Sequence, residues 1–375
     1  MKKLVFLAVL AMSAASSSAF AQMACEAQAN ELAEHFSGEI SDNAPVNIRL
    51  PKDLKRGQSS KLLPMIRESV GLSAEGSFDA ELQQAIKDQQ TALGFTPTGV
   101  LDAHTLMNVL PLSAQYRMEV LGKTAQECHR MNAQLNKTRP AKFVEVNIAS
   151  QTLIAYEMEP TTGQVTEVLR SRVVAGAPTT PTPLTDFSLW GLKFNPGWTP
   201  TTNILSRNVV KGGAVNARWL ANHHMRVTDA QGNSVHASQV TASNWKKFRY
   251  QEPAGPGAAL GLLKFETTST QNIYMHDTPE KSKFDWNVRL ASSGCVRVQE
   301  IDQLARWSFN ALEENSAASQ SFDKSLDTTK NAIKRLPANI PVYLTYRQVD
   351  FTEDGGAIYY ADGYDRAGTA VSLTQ

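Results

Sequence analysis

A histidine and a cysteine 19 residues apart are the side chains in this sequence best suited to covalent catalysis. His276 lies in the segment Ile-Tyr-Met-His-Asp-Thr-Pro, and Cys295 lies in Arg-Leu-Ala-Ser-Ser-Gly-Cys-Val-Arg-Val. A cysteine nucleophile needs a nearby base to take its proton and amide donors to stabilise an oxyanion. On a strand, Tyr274 and His276 would share one face, so a phenol and an imidazole would point into one cleft. The pattern therefore predicts a site for acyl chemistry.

The residues around Cys295 could supply the rest of such a site. Ser293 and Gly294 offer consecutive backbone amides in a turn that glycine permits. Arg297 lies on the same side of any following strand as the cysteine, where it could hold a carboxylate or lower the pKa of the thiol. Spacing alone leaves a structural cysteine as the alternative.

Two other chemistries are disfavoured by the order and spacing of residues. Papain-like proteases place the cysteine before the histidine, and here the order is reversed. The chain has no CxxC and no HExxH motif, and His223 and His224 are adjacent, so both cannot face one metal on a regular element. We expect no metal site and no cofactor, and we interpret the histidine pair as surface or lid structure.

Strand-like sequence surrounds these residues. After Pro140 the hydrophobic period changes from 3.6 to 2, with strand signals at 144–148, 153–156, 168–174 and 342–346. Residues 196–257 interrupt this domain with a long polar stretch. They carry Trp198, Trp219 and Trp245, and the glycines at 212–213, 255 and 257 could act as hinges. We interpret the stretch as a lid, and the alternative is that the tryptophans form a small core of their own.

The N-terminal third has helical periodicity. Leu82, Ala85, Ile86, Gln89 and Leu93 form one stripe of a helix that follows Asp79, and Asp102 is placed to cap the next helix. Residues 59–137 are therefore expected to form a small helical domain. Residues 22–58 are expected to be irregular with a short helix near 27–35. Residues 350–375 should form a hairpin and tail around the turn Asp-Gly-Gly at 354–356.

Residues 1–21 have the pattern of an export signal. Lys2 and Lys3 precede an apolar run, and Ala-Phe-Ala at 19–21 fits signal-peptidase cleavage after Ala21. Export to the periplasm would favour oxidation of compatible thiols. Cys25 and Cys128 both lie in the N-terminal third and are predicted to pair, which would leave Cys295 free.

Composition excludes several classes of protein. The 375-residue chain is 42% hydrophobic and 19% charged, and its formal charge of +1 would fall to −1 without the two leader lysines. There is no basic excess to drive nucleic-acid binding, and no apolar run is long enough to make an integral membrane protein. The sequence predicts an α+β multidomain protein. It does not determine the oligomeric state.

The segment with His276 and the Ser-Ser-Gly-Cys-Val-Arg motif resembles the signature of the L,D-transpeptidases, whose catalytic domain is of the YkuD type. Ser293, where most members have a second histidine, and the Gly-Pro-Gly lead-in at 255–257 resemble the larger YcbB-like periplasmic subgroup. The resemblance covers 141–349. It implies a β-rich domain with Cys295 as nucleophile and His276 as base, and susceptibility of Cys295 to carbapenems.

The same resemblance implies a substrate. Peptidoglycan stem tetrapeptide would acylate Cys295 with loss of D-alanine, and a neighbouring stem amine would take the acyl group to make a 3→3 cross-link. Water or a protein lysine are the alternative acceptors. The stem carries carboxylates that Arg297 or Arg289 could bind. The polar, extended glycan could contact the tryptophans of the lid. Residues 59–137, with Gly-Ser-Phe-Asp at 76–79, resemble a peptidoglycan-binding module; the alternative is a packing domain without a ligand.

Overall fold

The computed structural model describes residues 21–37, 53–211, 214–255, 257–326 and 331–366. The predicted signal peptide lies outside these residues except for Ala21, and so do residues 367–375 of the predicted tail. The architecture is α+β, as predicted. The chain divides into two compact units. The first contains Met1–Val168, Asp285–Arg289 and Tyr343–Gln375, and the second contains Leu169–Phe284 and Leu290–Val342.

The division runs through the segment expected to be the catalytic domain: residues 141–168 and 343–349 belong to the same compact unit as the N-terminal helices.

Two helices of the first unit begin where the sequence predicts caps. The Asp79 carboxylate accepts the amide of Leu82 at 2.9 Å, and the Asp102 carboxylate accepts the amide of Thr105 at 2.9 Å. Each carboxylate satisfies an amide that has no partner within its own helix. The helices are α1 (Ala21–Ser37), α2 (Leu63–Ser69), α3 (Ala80–Ala92), α4 (Ala103–Val109) and α5 (Ala114–Thr138).

One position of the predicted α3 stripe is wrong. Leu82 and Ile86 are in the core as expected, but Gln89 is exposed and Gln90 is fully buried. The Gln90 side chain donates to the Val100 carbonyl at 2.8 Å and accepts the Gly99 amide at 2.9 Å. The buried glutamine therefore satisfies the backbone of the turn before α4, which a hydrophobic pattern cannot reveal.

A disulfide joins α1 to α5. Cys25 and Cys128 are paired, as the sequence predicts, with their sulfurs 2.08 Å apart. The predicted C-terminal hairpin is also present, as β14 (Val349–Phe351) and β15 (Ala357–Tyr359) in antiparallel register. Its residues Val349 and Tyr359 share a buried cluster with residues of α1 and α5, so this hairpin is part of the core of the first unit.

The first unit also holds an antiparallel pair of strands, β1 (Lys142–Asn147) and β2 (Thr152–Met158). Glu145 on β1 is buried, and its carboxylate accepts from Arg347 at 2.9 Å and from the Thr345 hydroxyl at 2.7 Å. Burial of this charge is offset by an ion pair and a hydrogen bond.

The sheet of the second unit carries the motif with His276 and Cys295. Its strands lie in the order β11-β3-β12-β10-β9-β4-β13. They are β3 (Val165–Gly176), β4 (Phe187–Phe194), β9 (Leu263–Thr267), β10 (Met275–His276), β11 (Leu290–Ser292), β12 (Val296–Val298) and β13 (Ala332–Thr345). Helices α8 (Ile301–Ser308) and α9 (Ala317–Leu326) follow β12.

The predicted insertion is folded and has a core of its own. Its base is closed by a bridge between Trp198 and Glu252. Trp245 is 7% exposed and packs with buried aliphatic residues and Tyr250. The proposed hinge glycines 212–213 lie outside the described residues. The insertion contains α6 (Thr202–Asn208), β5 (Val210–Lys211), β6 (Ala214–Val215), α7 (Ala217–Asn222), β7 (Arg226–Thr228) and β8 (Arg249–Gln251).

Candidate active site

Strands β10 and β12 bring the predicted catalytic residues together. They pair in parallel, with His276 opposite Arg297, and the Val296 amide donates to the Tyr274 carbonyl at 2.9 Å. Because side chains alternate along a strand, Tyr274 and His276 lie on one sheet face with Cys295 and Arg297. Met275, Val296 and Val298 point the other way and are fully buried. An apolar face anchors the strands, and the opposite face carries the chemistry.

A tight turn presents Cys295. The Ser292 hydroxyl donates to the Cys295 carbonyl at 2.6 Å and accepts the Gly294 amide at 3.1 Å. Gly294 has φ +118°, a conformation that side-chain-bearing residues rarely adopt. The sequence predicts amide donors at this turn, but the Gly294 amide is occupied by Ser292. No hydrogen bond among the described residues engages the Cys295 amide, so this is the donor that can meet an oxyanion.

Two threonines after β3 hold this turn from the other side. The Thr182 hydroxyl accepts the Gly176 amide at 2.9 Å and donates to the Gly294 carbonyl at 2.8 Å. The Thr180 hydroxyl donates to the Ser292 carbonyl at 2.9 Å. Thr182 is completely buried. Both threonines therefore position the residues that precede the nucleophile.

His276 is 5% exposed, and its Nδ1 hydrogen-bonds to the Asp277 carbonyl. A carbonyl can only accept, so Nδ1 carries the proton and Nε2 is left as the basic nitrogen. Burial lowers the pKa of His276 to about 4, and the positive charge of Arg297 acts in the same direction. The imidazole is consequently neutral at pH 7 and able to accept a proton.

The Cys295 thiol is protonated in this arrangement. Burial raises its pKa, while the Tyr274 amide and the charges of Lys264 and Arg297 oppose the rise. The thiol lies 3.8 Å from the Asn272 carbonyl, and among the described contacts no hydrogen bond joins it to His276. The resting site thus holds a neutral thiol beside a neutral imidazole, and the proton has to move during the reaction.

The remaining predicted residues have different surroundings. Tyr274 lies under Lys264, whose ammonium is 3.6 Å from the ring centroid, and its pKa is raised by burial and by Glu266. Arg297 forms an ion pair with Glu280. Ser293 is exposed in the turn.

Arg289 cannot serve as the carboxylate partner that the sequence allows. Its guanidinium donates to four backbone carbonyls, and the residue is 6% exposed. It belongs to the first unit and has a structural role there. The carbonyls are those of Ser150, Gln151, Trp286 and Asn287.

The three lid tryptophans separate into two groups. Trp245 is in the insertion core, whereas Trp198 and Trp219 are partly exposed and lie 6.2 Å apart between ring centroids. His223 contacts both rings and hydrogen-bonds to the buried Glu252 at 3.0 Å. Trp219 also packs against the insertion core, so the core interpretation holds for Trp245 and in part for Trp219, while Trp198 lies beside them.

Sequence reasoning missed four residues of this site. Ser292, Thr180, Thr182 and Lys264 were not singled out. Ser292 lies inside the quoted motif, and each threonine lies 112 residues before its partner in the chain. Because Thr180 and Thr182 are far from Cys295 in the chain, the sequence gives no sign that they contact the turn that carries it.

Known proteins resemble the segment that contains this site. Residues 141–315 match the family model of YkuD, the L,D-transpeptidase catalytic domain. The chain is also 30% identical over 243 residues, 63% of its length, to a Haemophilus influenzae protein named "Putative L,D-transpeptidase". It spans about half of that relative, 47% of its length.

Solved structures with the same description are more distant. An L,D-transpeptidase from Stackebrandtia nassauensis is 13% identical, with 80% of this chain and 97% of that chain covered and a TM-score of 0.26. L,D-transpeptidase 1 of Mycobacterium tuberculosis is 11% identical, with 55% and 62% covered and a TM-score of 0.24.

The described residues offer neither a metal-binding cluster nor a membrane-spanning helix. Among them there is no group of three or more His, Cys, Asp or Glu side chains that could hold a metal ion. None of the helices described is both long and apolar enough to cross a membrane.

Proposed function

We propose that the protein is a peptidoglycan L,D-transpeptidase with Cys295 as nucleophile and His276 as general base. The observation that carries the proposal is the shared face of β10 and β12. There a neutral imidazole with a basic Nε2 lies on the same side as the thiol, inside the segment that matches the YkuD family. We include the YcbB-like subgroup in the proposal on the strength of the Ser-Ser-Gly-Cys motif.

The first half-reaction forms a thioester. His276 Nε2 takes the thiol proton, and the thiolate adds to the carbonyl carbon of the third residue of a stem tetrapeptide. The Cys295 amide stabilises the oxyanion. The carbon–nitrogen bond then breaks, and the imidazolium returns the proton to the departing amine of D-alanine.

The second half-reaction regenerates the thiol. An amine from a neighbouring stem gives a proton to His276 and attacks the thioester, which forms a 3→3 cross-link and releases the thiolate for reprotonation. Water as acceptor would make the enzyme an L,D-carboxypeptidase, and a protein lysine would attach an envelope protein to the wall. The partly exposed Trp198 and Trp219 favour an extended polymeric substrate.

The test uses the protein without its leader and purified disaccharide-tetrapeptide fragments, with products identified by mass spectrometry. We expect cross-linked dimer from the wild type and none from Cys295→Ala, which is close in volume to the original residue. Tripeptide as the sole product would favour hydrolysis instead. Dimer formation by Cys295→Ala at the wild-type rate would refute the mechanism. Carbapenem should add its mass to the wild type only.

We further propose that the chain is exported to the periplasm with cleavage after Ala21, and that the helical segment 59–137 binds peptidoglycan. Sedimentation of full-length Cys295→Ala with insoluble peptidoglycan tests binding without acylation. Retention in the pellet is expected. A variant that stays in the supernatant would make the helical segment a packing domain. N-terminal sequencing of the exported protein should start at Gln22.

A further inference from the structure

The insertion at 196–257 carries a positive charge that the rest of the chain does not share. It holds seven lysines and arginines and two acidic residues, a formal charge of +5. The other residues of the chain hold 30 lysines and arginines and 34 acidic residues, a formal charge of −4. The whole chain is nearly neutral because these two contributions offset each other, and the excess of cations is confined to one segment of the second unit.

Both acidic side chains of the insertion already have partners, so they do not neutralise these cations. The Asp229 carboxylate accepts the backbone amide of Asn233 at 2.8 Å and the side-chain amide of the same residue at 2.9 Å. Glu252 is 2% exposed, and its carboxylate binds His223 at 3.0 Å and the Ala259 amide at 2.8 Å. The two carboxylates therefore stabilise the fold of the insertion.

Six of the cations have exposed side chains, and none of the six forms an ion pair with any residue that the structure describes. Their exposed ammonium and guanidinium groups can bind an anion from outside the molecule. The six residues are Arg207 on α6, Arg218 on α7, Arg226 on β7, Arg249 on β8, and Lys246 and Lys247 directly before β8.

Strands β7 and β8 place two of the arginines on one surface. Val227 pairs with Tyr250, and both side chains are buried in the core of the insertion. Because side chains alternate along a strand, Arg226 and Arg249 point to the opposite side, where both are exposed. Their cross-strand partners are a glutamine and a threonine, so this face is polar as well as basic.

Two lysines extend the run of cations along the chain. Lys246 and Lys247 are exposed at the end of a short 3-10 helix, and Arg249 follows them two residues later. We call Arg226, Lys246, Lys247 and Arg249 the basic surface of the insertion.

The exterior of the insertion favours an anionic polymer over a lipid surface. Elements that bind a membrane surface combine cations with exposed apolar side chains that enter the lipid. Among the described residues, none of the large hydrophobic side chains that are exposed lies in the insertion. Peptidoglycan is a polar polymer whose stem peptides carry carboxylates, and charge-assisted hydrogen bonds from guanidinium groups suit a carboxylate.

We propose that the basic surface binds stem-peptide carboxylates along the peptidoglycan polymer and so raises the concentration of polymer at the catalytic unit. The proposal rests on the proposed function and adds to it a wall-binding surface in the second unit, separate from the helical segment 59–137. A polymer can contact several cations at once, so the surface should matter more for the polymer than for a small carbapenem.

Sedimentation with insoluble peptidoglycan tests the surface without turnover, in full-length protein that carries Cys295→Ala. Two wall preparations are compared, one native and one with its carboxylates converted to methylamides. We expect the pair Arg226→Gln and Arg249→Gln to raise Kd for the native wall about fivefold at low salt. The difference should disappear in salt of about 1 M, where the screening length is roughly 3 Å. Kd for the amidated wall should be the same with and without the substitutions.

Three controls separate charge from other effects. The pair Arg226→Lys and Arg249→Lys keeps both charges and should keep Kd. Lys324→Gln removes the charge of an exposed lysine on α9 and should also keep Kd. The pair Lys246→Gln and Lys247→Gln should raise Kd as the arginine pair does, and thermal melting shows which variants are folded.

Acylation kinetics connect the surface to activity. In protein with Cys295 intact, the rate of acylation by wall polymer is divided by the rate of acylation by carbapenem. The arginine pair should lower this ratio about fivefold at low salt, because binding of the polymer weakens while the cysteine is the same.

An unchanged Kd in both glutamine pairs, or an equal increase on native and amidated walls, would overturn the inference. It would also be overturned if the glutamine pairs lost binding to phosphatidylglycerol vesicles and kept binding to the wall, since the surface would then be for lipid. Failure of the wild type to form any acyl-enzyme would refute the proposed function. The sedimentation result would still stand in that case, because it needs no turnover.

Discussion

Replacement of Thr182 by valine should damage both stability and acylation, because one buried hydroxyl connects strand β3 to the nucleophile turn. The hydroxyl accepts from the Gly176 amide and donates to the Gly294 carbonyl, one residue before Cys295. Valine has the same shape without the hydroxyl, so the substitution removes both hydrogen bonds and preserves the packing.

The expected loss follows from burial. Thr182 is 0% exposed, so water cannot replace the hydrogen bonds. At roughly 1–3 kcal/mol for each, Thr182→Val should cost about 2–6 kcal/mol. For a unit of this size that corresponds to a fall in Tm of roughly 5–20 °C. A nucleophile displaced by about 1 Å should also acylate on the order of 100-fold more slowly.

Thr182→Ser is the matched control, because it keeps the hydroxyl and removes one methyl group at about 1 kcal/mol. Thermal melting by circular dichroism and the rate of carbapenem acylation are measured on both variants. If valine and serine gave the same Tm and the same acylation rate, the hydroxyl would have no positioning role.

Four further outcomes are expected. His276→Ala should lower turnover by roughly 10²–10⁴-fold. In the wild type, the rate of Cys295 alkylation should rise about tenfold per pH unit from pH 6 to 8, because burial raises the thiol pKa and only the thiolate reacts; a plateau in that range would contradict it. Non-reducing alkylation should label one thiol per chain, and replacing Cys25 and Cys128 with serine should cost about 4–5 kcal/mol for a loop closed across 103 residues; three labels in the wild type would exclude the bridge. Shortening 206–247 to a Gly-Ser linker should leave acylation intact and shift the product from dimer to tripeptide, and an unchanged ratio would mean that the insertion does not select the acceptor.

The sequence by itself determined the features that depend on neighbours along the chain. Asp79 and Asp102 were recognisable as helix caps because a cap acts on amides two or three residues away. The alternation around His276 predicted a strand with the phenol and imidazole on one face, because the period of a strand is local. The resemblance of the motif around Cys295 to the L,D-transpeptidases was recognisable for the same reason.

Only the tertiary structure decided which residues complete the site. The contact of Thr182 with Gly294 and the pairing of Lys264 with His276 depend on how separate strands align, and no local period encodes that alignment. The sequence also did not show that the Gly294 amide already has a partner, because its hydrogen bond to the Ser292 hydroxyl forms only in the folded turn. Side-chain direction is therefore a property of one strand, whereas register and hydrogen-bond partners are properties of the packed sheet.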